Sequence, residues 1–472
     1  MKRLLLGQLL LACSLAFGGG LTALPEAELE LLDPTNCADV TRALAARVDG
    51  LGIADYQSAL SDPASLRQTL WAQKIGLHER LRAFHRAKQL TPACANGIRG
   101  LLRAIRTVDD YAHDRQWRQR AAGTSFPTSA FEAGNPHVLR HPEHAQFDLK
   151  RDLKSGDVLL TRGNAYTSAA IASLGEYDTQ FSHMSLVHVD ARGKIWTIEA
   201  HIEVGSFVRP LQDHIDDNNM RLLVLRFEDP TIAARAAALA FDRVRRASNG
   251  RRGNIRYDFG FDMGDEGREL FCSEVVSFAY ERATDNNVRV PLFMSRVDQR
   301  KPDFVRDLGI TVAESFIPAD IEIDPRFQIV AEWRDAARVV DTLEKDAIIH
   351  AMFAWNDEEG YRLVQGSSST SRFYRNVVWP LRRIPLLNTF VDDRLPLNMS
   401  RAVIGYFGVL ETLGELLQAE LVSADTAAAQ ARVLPLLPLE RRAVLEDLRA
   451  RDAVARRPKL HKMFRPRGAK VD

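Results

Sequence analysis

The 472-residue chain reads as an α+β protein: a strand-bearing central block flanked by N- and C-terminal helical regions. Three observations predict this. Up to about residue 144, apolar residues recur at helical spacing, as in Val40, Leu44, Val48 and Leu51. Between residues 158 and 227 the pattern changes to short apolar or alternating runs, with helical stretches before and after them. Beyond about Ile317 the helical period returns. A 46% hydrophobic and 26% charged composition is that of a globular chain and excludes wholesale disorder, collagen and coiled coil. The net charge of +1 gives no electrostatic footprint for nucleic acid. No run of about 18 apolar residues follows the N-terminus, which argues against a polytopic membrane protein.

The elements follow in order. Leu70, Leu77, Leu81 and Phe84 continue the helical pattern of the first region. Pro127, Gly134, Pro136 and Pro142 mark a linker. Ser155-Gly156-Asp157 is a turn leading into the strand Val158–Thr161, and Tyr166–Leu174 fits a helix of small residues. Met184–Val189, Lys194–Ala200 and Arg221–Phe227 are strand-like, followed by helices over Pro230–Ser248 and Cys272–Arg282. The five residues Ser367–Ser371 read as a flexible hinge, Ser400 as the N-cap of a helix running to Leu421, and the Arg/Lys-rich tail from Arg456 as a solvated end. The divisions are 1–24, a signal segment; 25–145, helical with a linker; 146–325, the central domain; and 326–472, helical with a basic tail.

Lys2 and Arg3 precede the apolar run from Leu4 to Ala12, the anatomy of an export signal. Its end, Leu10-Leu11-Ala12-Cys13, resembles the lipobox of bacterial lipoproteins, in which the cysteine carries lipid. Ser14, where an inner-membrane protein would have Asp, then implies sorting to the outer membrane. The alternative is ordinary cleavage near Ala23. With Cys13 lipidated, Cys37, Cys94 and Cys272 remain for an oxidising compartment. Cys37 and Cys94 both lie beside helix starts in the first region, and a disulfide between them is expected. Cys272 is left as the unpaired thiol, either an inert core residue or a reactive one.

Cys272 falls at the first turn of a helix whose apolar face is Val275, Val276, Ala279 and Tyr280. Unpaired amides and the positive dipole end favour a thiolate there and are able to hold an oxyanion. A thiolate nucleophile requires an imidazole, and the imidazole an acceptor behind it. His183 stands at the entry of one strand. On the next, Thr197, Glu199 and His201 share a face, so pairing of the strands sets Glu199 beside His183. His188 alternates away from His183 and reads as structural. His201 is a candidate second polar partner.

The segments Ser155–Leu160, Phe181–Leu186, Ile198–Ala200 and Phe271–Val276 resemble the permuted papain-like amidases of the YaeF/YiiX group. That group is related to the NlpC-type cysteine peptidases and to lecithin retinol acyltransferase. Tyr257-Asp258-Phe259 and Ile317–Asp320 fit the same group. The order His, acid, Cys is that of its circularly permuted branch. The resemblance covers roughly residues 150–330. It implies a permuted papain-like core with an antiparallel sheet, Cys272 as nucleophile, His183 as general base and acid, and Glu199 as orienting residue. Tyr257 is a candidate auxiliary donor, with core packing as its alternative use, and no metal or cofactor is required. The expected substrate is a peptidoglycan fragment or an acyl lipid, met at the envelope by a chain held to the membrane through an N-terminal lipid. Besides an envelope cysteine hydrolase cleaving an amide, three readings stay open: a lipid acyl hydrolase or acyltransferase on the same fold, a metal hydrolase using His183, Glu199 and His201, and a non-catalytic envelope binding protein.

Overall fold

The computed structural model describes residues 29–120, 135, 137–176, 178–250, 253–263, 268–298, 305, 309–364, 366–381 and 398–468. The signal segment and Cys13 lie outside them.

Four helices open the described chain: α1 (Cys37–Asp49), α2 (Ile53–Ala59), α3 (Pro63–Arg86) and α4 (Pro92–Arg118). Asp62 and Thr91 cap α3 and α4, each accepting an amide from three residues on, with proline just inside the helix. Cys37 and Cys94 form a disulfide that ties the first turn of α1 to that of α4. Gly97 lets the two helices close up, since a Cβ there would collide with Thr41.

The central element is a seven-stranded sheet, antiparallel throughout: β1 (Val138–Arg140), β2 (Val158–Gly163), β3 (His183–Val189), β4 (Ile195–His201), β5 (Gly205–Pro210), β6 (Asn219–Phe227) and β7 (Phe327–Arg334). The spatial order is β1-β7-β6-β2-β3-β4-β5. Its first strand comes from the stretch read as linker and its second from the stretch read as helical, so the sheet reaches past residues 146–325 at both ends. Period-two alternation had no room to show in β1, three residues long, and β7 is buried on both faces along most of its length.

Against one face lie α5 (Tyr166–Ala172), α6 (Leu211–Ile215) being on the other side of the β5 turn, and then α7 (Pro230–Ser248) and α8 (Cys272–Ala283). Met184, Leu186, Ile198 and Ala200 point into the core shared with α7 and α8. Leu159, Val187, Leu222 and Val224 pack on the opposite face with Phe147, Leu149 and Leu211.

The helices α3 and α4 meet the β6–β7 part of the molecule through a buried layer of charge. Lys74 bridges Glu322 at 3.0 Å and Glu332 at 2.7 Å; Arg106 holds Glu322 at 2.6 Å; Arg221 holds Asp110 at 2.6 Å. All of these side chains are buried, so each charge survives only because a partner replaces its water.

Beyond the sheet run α9 (Val339–Glu359), α10 (Arg401–Arg432) and α11 (Pro438–Ala453). Two expectations fail here. Ser368 and Ser371, read as hinge, are buried, and their hydroxyls donate to the carbonyls of Gly408 and Gly405 in α10. Small side chains were needed for close approach: a Cβ on Gly408 would lie 3.0 Å from the Ser371 Cα. The basic tail is docked. Leu460, Met463 and Phe464 are buried, and β8 (Tyr361–Leu363) pairs antiparallel with β9 (Phe464–Pro466). Apolar residues between the charges supply the driving force that the charge run concealed.

Candidate active site

Glu199 is the hub of the site. Its side chain is fully buried in β4, and it accepts six hydrogen bonds. Oε1 takes the Thr197 hydroxyl at 2.6 Å, Arg209 Nε at 2.8 Å and His214 Nδ1 at 3.1 Å. Oε2 takes His183 Nε2 and His201 Nε2, each at 2.9 Å, and Arg209 Nη2 at 3.0 Å. Burial pushes this carboxyl upward, yet His214, His183 and His201 together hold it well below the usual carboxylate range. It is therefore ionised, and each imidazole presents an N–H to it. Arg209 faces it because Arg209 pairs with Thr197 across the β4–β5 ladder, on the same face; Arg209 also pairs with Asp217.

With Nε2 committed to Glu199, the His183 ring keeps Nδ1 as its proton acceptor. No hydrogen bond reaches that atom among the described residues, and the side chain is 19% exposed. Burial pushes the ring down to about 4, against the upward pull of Glu199. Ser185 Oγ lies 3.3 Å from Nε2, sharing that edge of the ring.

Cys272 is the first residue of α8, behind the extended N-cap Phe271. Backbone N–H groups of Met184, Ser273 and Cys272 itself face the sulfur and favour its charge, as does the Ser273 hydroxyl at 3.9 Å. Burial outweighs them and pushes the thiol up to about 11. The sequence expectation of a thiolate is thus reversed in the resting protein, because the thiol is almost wholly out of water.

The thiol and the imidazole approach from different sides. Cys272 packs with Met184, Ile198 and Ala200, whereas His183, Glu199 and His201 alternate toward the other face. The link between them is the backbone at the end of β3. The β3–β4 ladder runs from Val189↔Ile195 to Leu186↔Ile198 and stops. Met184 lies beyond it, which frees its N–H for the sulfur. So the sulfur sits against the residue next to His183, with α8 packed directly on β3 and β4. No hydrogen bond joins sulfur to ring among the described residues; catalytic contacts of this kind commonly tighten when substrate is bound.

Residues 152–331 match the family model of permuted papain-like amidase enzymes, YaeF/YiiX, C92 family. This segment is a permuted papain-like amidase domain. Comparison with curated proteins and with solved structures gives no match. The amidase domain supplies the antiparallel sheet from β2 to β7, the helix bearing Cys272 and every residue around Glu199, and it makes the chain a cysteine amidase by family.

The remaining candidates fall into place around it. Tyr257 is buried near the thiol, against the rings of Phe259 and Phe261, and its carbonyl accepts from Asn398 at 2.6 Å. His188 stacks on Phe241 at 4.3 Å, a packing role. The ligand atoms of His183, Glu199 and His201 lie within 4.8 Å of one another. They suit a metal poorly, since the Arg209 guanidinium occupies both carboxylate oxygens and would repel a cation. Arg209 and His214 were not foreseen. The alternation of β5 against β4 was the signal available for Arg209; His214 sits in a short helix after the strand and had none.

Proposed function

We propose that this protein is a cell-envelope cysteine hydrolase that cleaves an amide, in a peptidoglycan peptide or an N-acyl compound, through Cys272, His183 and Glu199. The observation that carries the reading is a thiol at a helix start that faces the backbone N–H of Met184, the residue after a histidine whose Nε2 is held by an ionised buried carboxylate. His183 Nδ1 takes the thiol proton as sulfur attacks the carbonyl carbon, so charge forms only during attack. The N–H groups around the sulfur then face the developing oxyanion. Collapse breaks the C–N bond, and His183 returns the proton to the leaving amine. The thioester left on Cys272 is released by water. Tyr257, next to the thiol, is positioned as an auxiliary donor.

The Cys37–Cys94 disulfide supports an oxidising compartment, in keeping with the export pattern of residues 2–13 and with lipid on Cys13 as the membrane anchor. No described helix is long and apolar enough to cross a membrane.

The test is incubation of wild type and Cys272→Ala with purified peptidoglycan fragments and with N-acyl peptides, products read by mass spectrometry. Cleavage by wild type that is absent in Cys272→Ala, and insensitive to chelator, is expected. Chelator-sensitive cleavage that survives Cys272→Ala would transfer the chemistry to the histidine–glutamate cluster as a metal site. Absence of cleavage together with failure of a thiol-directed acylating probe to label Cys272 would leave a binding protein.

A further inference from the structure

Between Ala453 and Gly468 the chain carries six cations, Arg456, Arg457, Lys459, Lys462, Arg465 and Arg467, and no Asp or Glu. A run of this kind is ordinarily a loose, solvated end. Here it is fixed. A single helical turn (Leu460–Met463) and β9 seat Leu460, Met463 and Phe464 in the core. The Lys459 and His461 amides donate to Asp452 at 2.7 and 2.8 Å, and the Val364 amide donates to the Met463 carbonyl at 2.7 Å. With the apolar residues turned inward, all six cations but the half-buried Arg465 are exposed.

None of the six forms an ion pair with an acid among the described residues. The neighbouring acids are committed elsewhere: Asp452 to His461, and Glu359 and Glu446 to Arg449. Asp357 and Glu358, exposed at the end of α9, offset two of the charges and leave a surplus of four. On the β8–β9 ribbon Arg465 stands directly opposite Arg362. Tyr361 and Phe464 face the core, so both guanidinium groups leave on the outer side, where like charges repel. Val454, immediately ahead of the run, is 87% exposed, more than any other large apolar side chain among the described residues.

A small anion is held by donors that converge on one point. These cations are instead spread from the end of α11, over the helical turn, to the ribbon, with an apolar side chain at one edge. That matches a sheet of negative headgroups over an apolar interior: the cations meet phosphate, and the apolar tip enters the acyl boundary. We propose that this face docks on an anionic phospholipid bilayer. The contact is separate from lipid on Cys13 and from the reaction at Cys272.

The test is flotation of the whole chain, carrying Cys13→Ser so that no lipid anchor takes part, with phosphatidylcholine vesicles made with and without phosphatidylglycerol. Tighter binding to the phosphatidylglycerol vesicles is expected at about 0.1 M salt, and its loss at about 1 M, where the Debye length is about 3 Å. Arg456→Gln, Arg457→Gln and Lys459→Gln together should weaken that binding about 10²-fold, at about a factor of five per cation. The three side chains are exposed, so the fold is kept, and Arg456→Lys with Arg457→Lys should bind as before. Removing the same charge elsewhere, through Arg86→Gln, Lys88→Gln and Lys150→Gln, should change binding by less than about 3-fold. Equal binding to both vesicles, or equal losses in the two triple variants, would overturn the proposal. So would binding to soluble polyphosphate that the vesicles fail to displace, which would make the face a site for a free polyanion.

Discussion

A thiol and an imidazole, both neutral at pH 7, define how the reactive pair behaves. With the Cys272 thiol pushed to about 11 and the His183 ring to about 4, the thiolate fraction is small at neutral pH and grows as pH rises. Alkylation of Cys272 by iodoacetamide should therefore climb about tenfold per pH unit from 7 to 10, without the low plateau of a preformed ion pair. Enzymatic turnover has the same sign but a much lower acid edge. His183 is a free base above about 4, so activity should be lost only as pH falls through that value. A pH–rate profile and an alkylation profile from one preparation check both. The placement of Cys272 at a helix start and of Glu199 beside His183 was legible in the sequence, because a helix start and strand alternation mark those positions. The thiol's protonation state was not, since local sequence shows the helix end and not the water excluded by packing.

Among elements, the α1–α4 pair is the one whose stability has a single covalent handle. The disulfide closes a separation of 57 residues, which restricts the unfolded chain by about 4 kcal/mol in the loop-entropy model. Reduction, or Cys37→Ser, should lower the midpoint of urea unfolding of this helical region by a corresponding amount, while iodoacetamide labelling of Cys272 in the unreduced variant stays as in wild type. The long amphipathic helices α3 and α4 were readable from period alone. What escaped was pairing that depends on distant chain: β7 takes its place by pairing with β6, and β1 by pairing with β7 over a register of Val138↔Trp333 to Arg140↔Ala331. Ser367–Ser371 misled for a related reason, since polar residues at close helix contacts look like those of a linker.

For the molecule as a whole, the buried charge layer decides which parts stand alone. The amidase segment contributes Arg221 and Glu322, whose counter-charges Asp110, Lys74 and Arg106 come from α3 and α4. Removing one partner of such a pair costs about 3–5 kcal/mol, and cutting at residue 151 removes several at once. A fragment of residues 152–331 is expected to be insoluble, whereas a chain retaining α1 to α4 is not; Arg106→Met in the full chain should lower stability by about 3 kcal/mol or more, read by denaturant unfolding. The C-terminal helices carry a different dependence, set by β8 and β9. Tyr361 and His461, which hydrogen-bond at 3.0 Å, are 100 residues apart in the chain. During synthesis the earlier strand leaves the ribosome long before its companion exists, so this corner of the protein cannot close as it emerges. Its closure waits for the later strand, near the end of the chain.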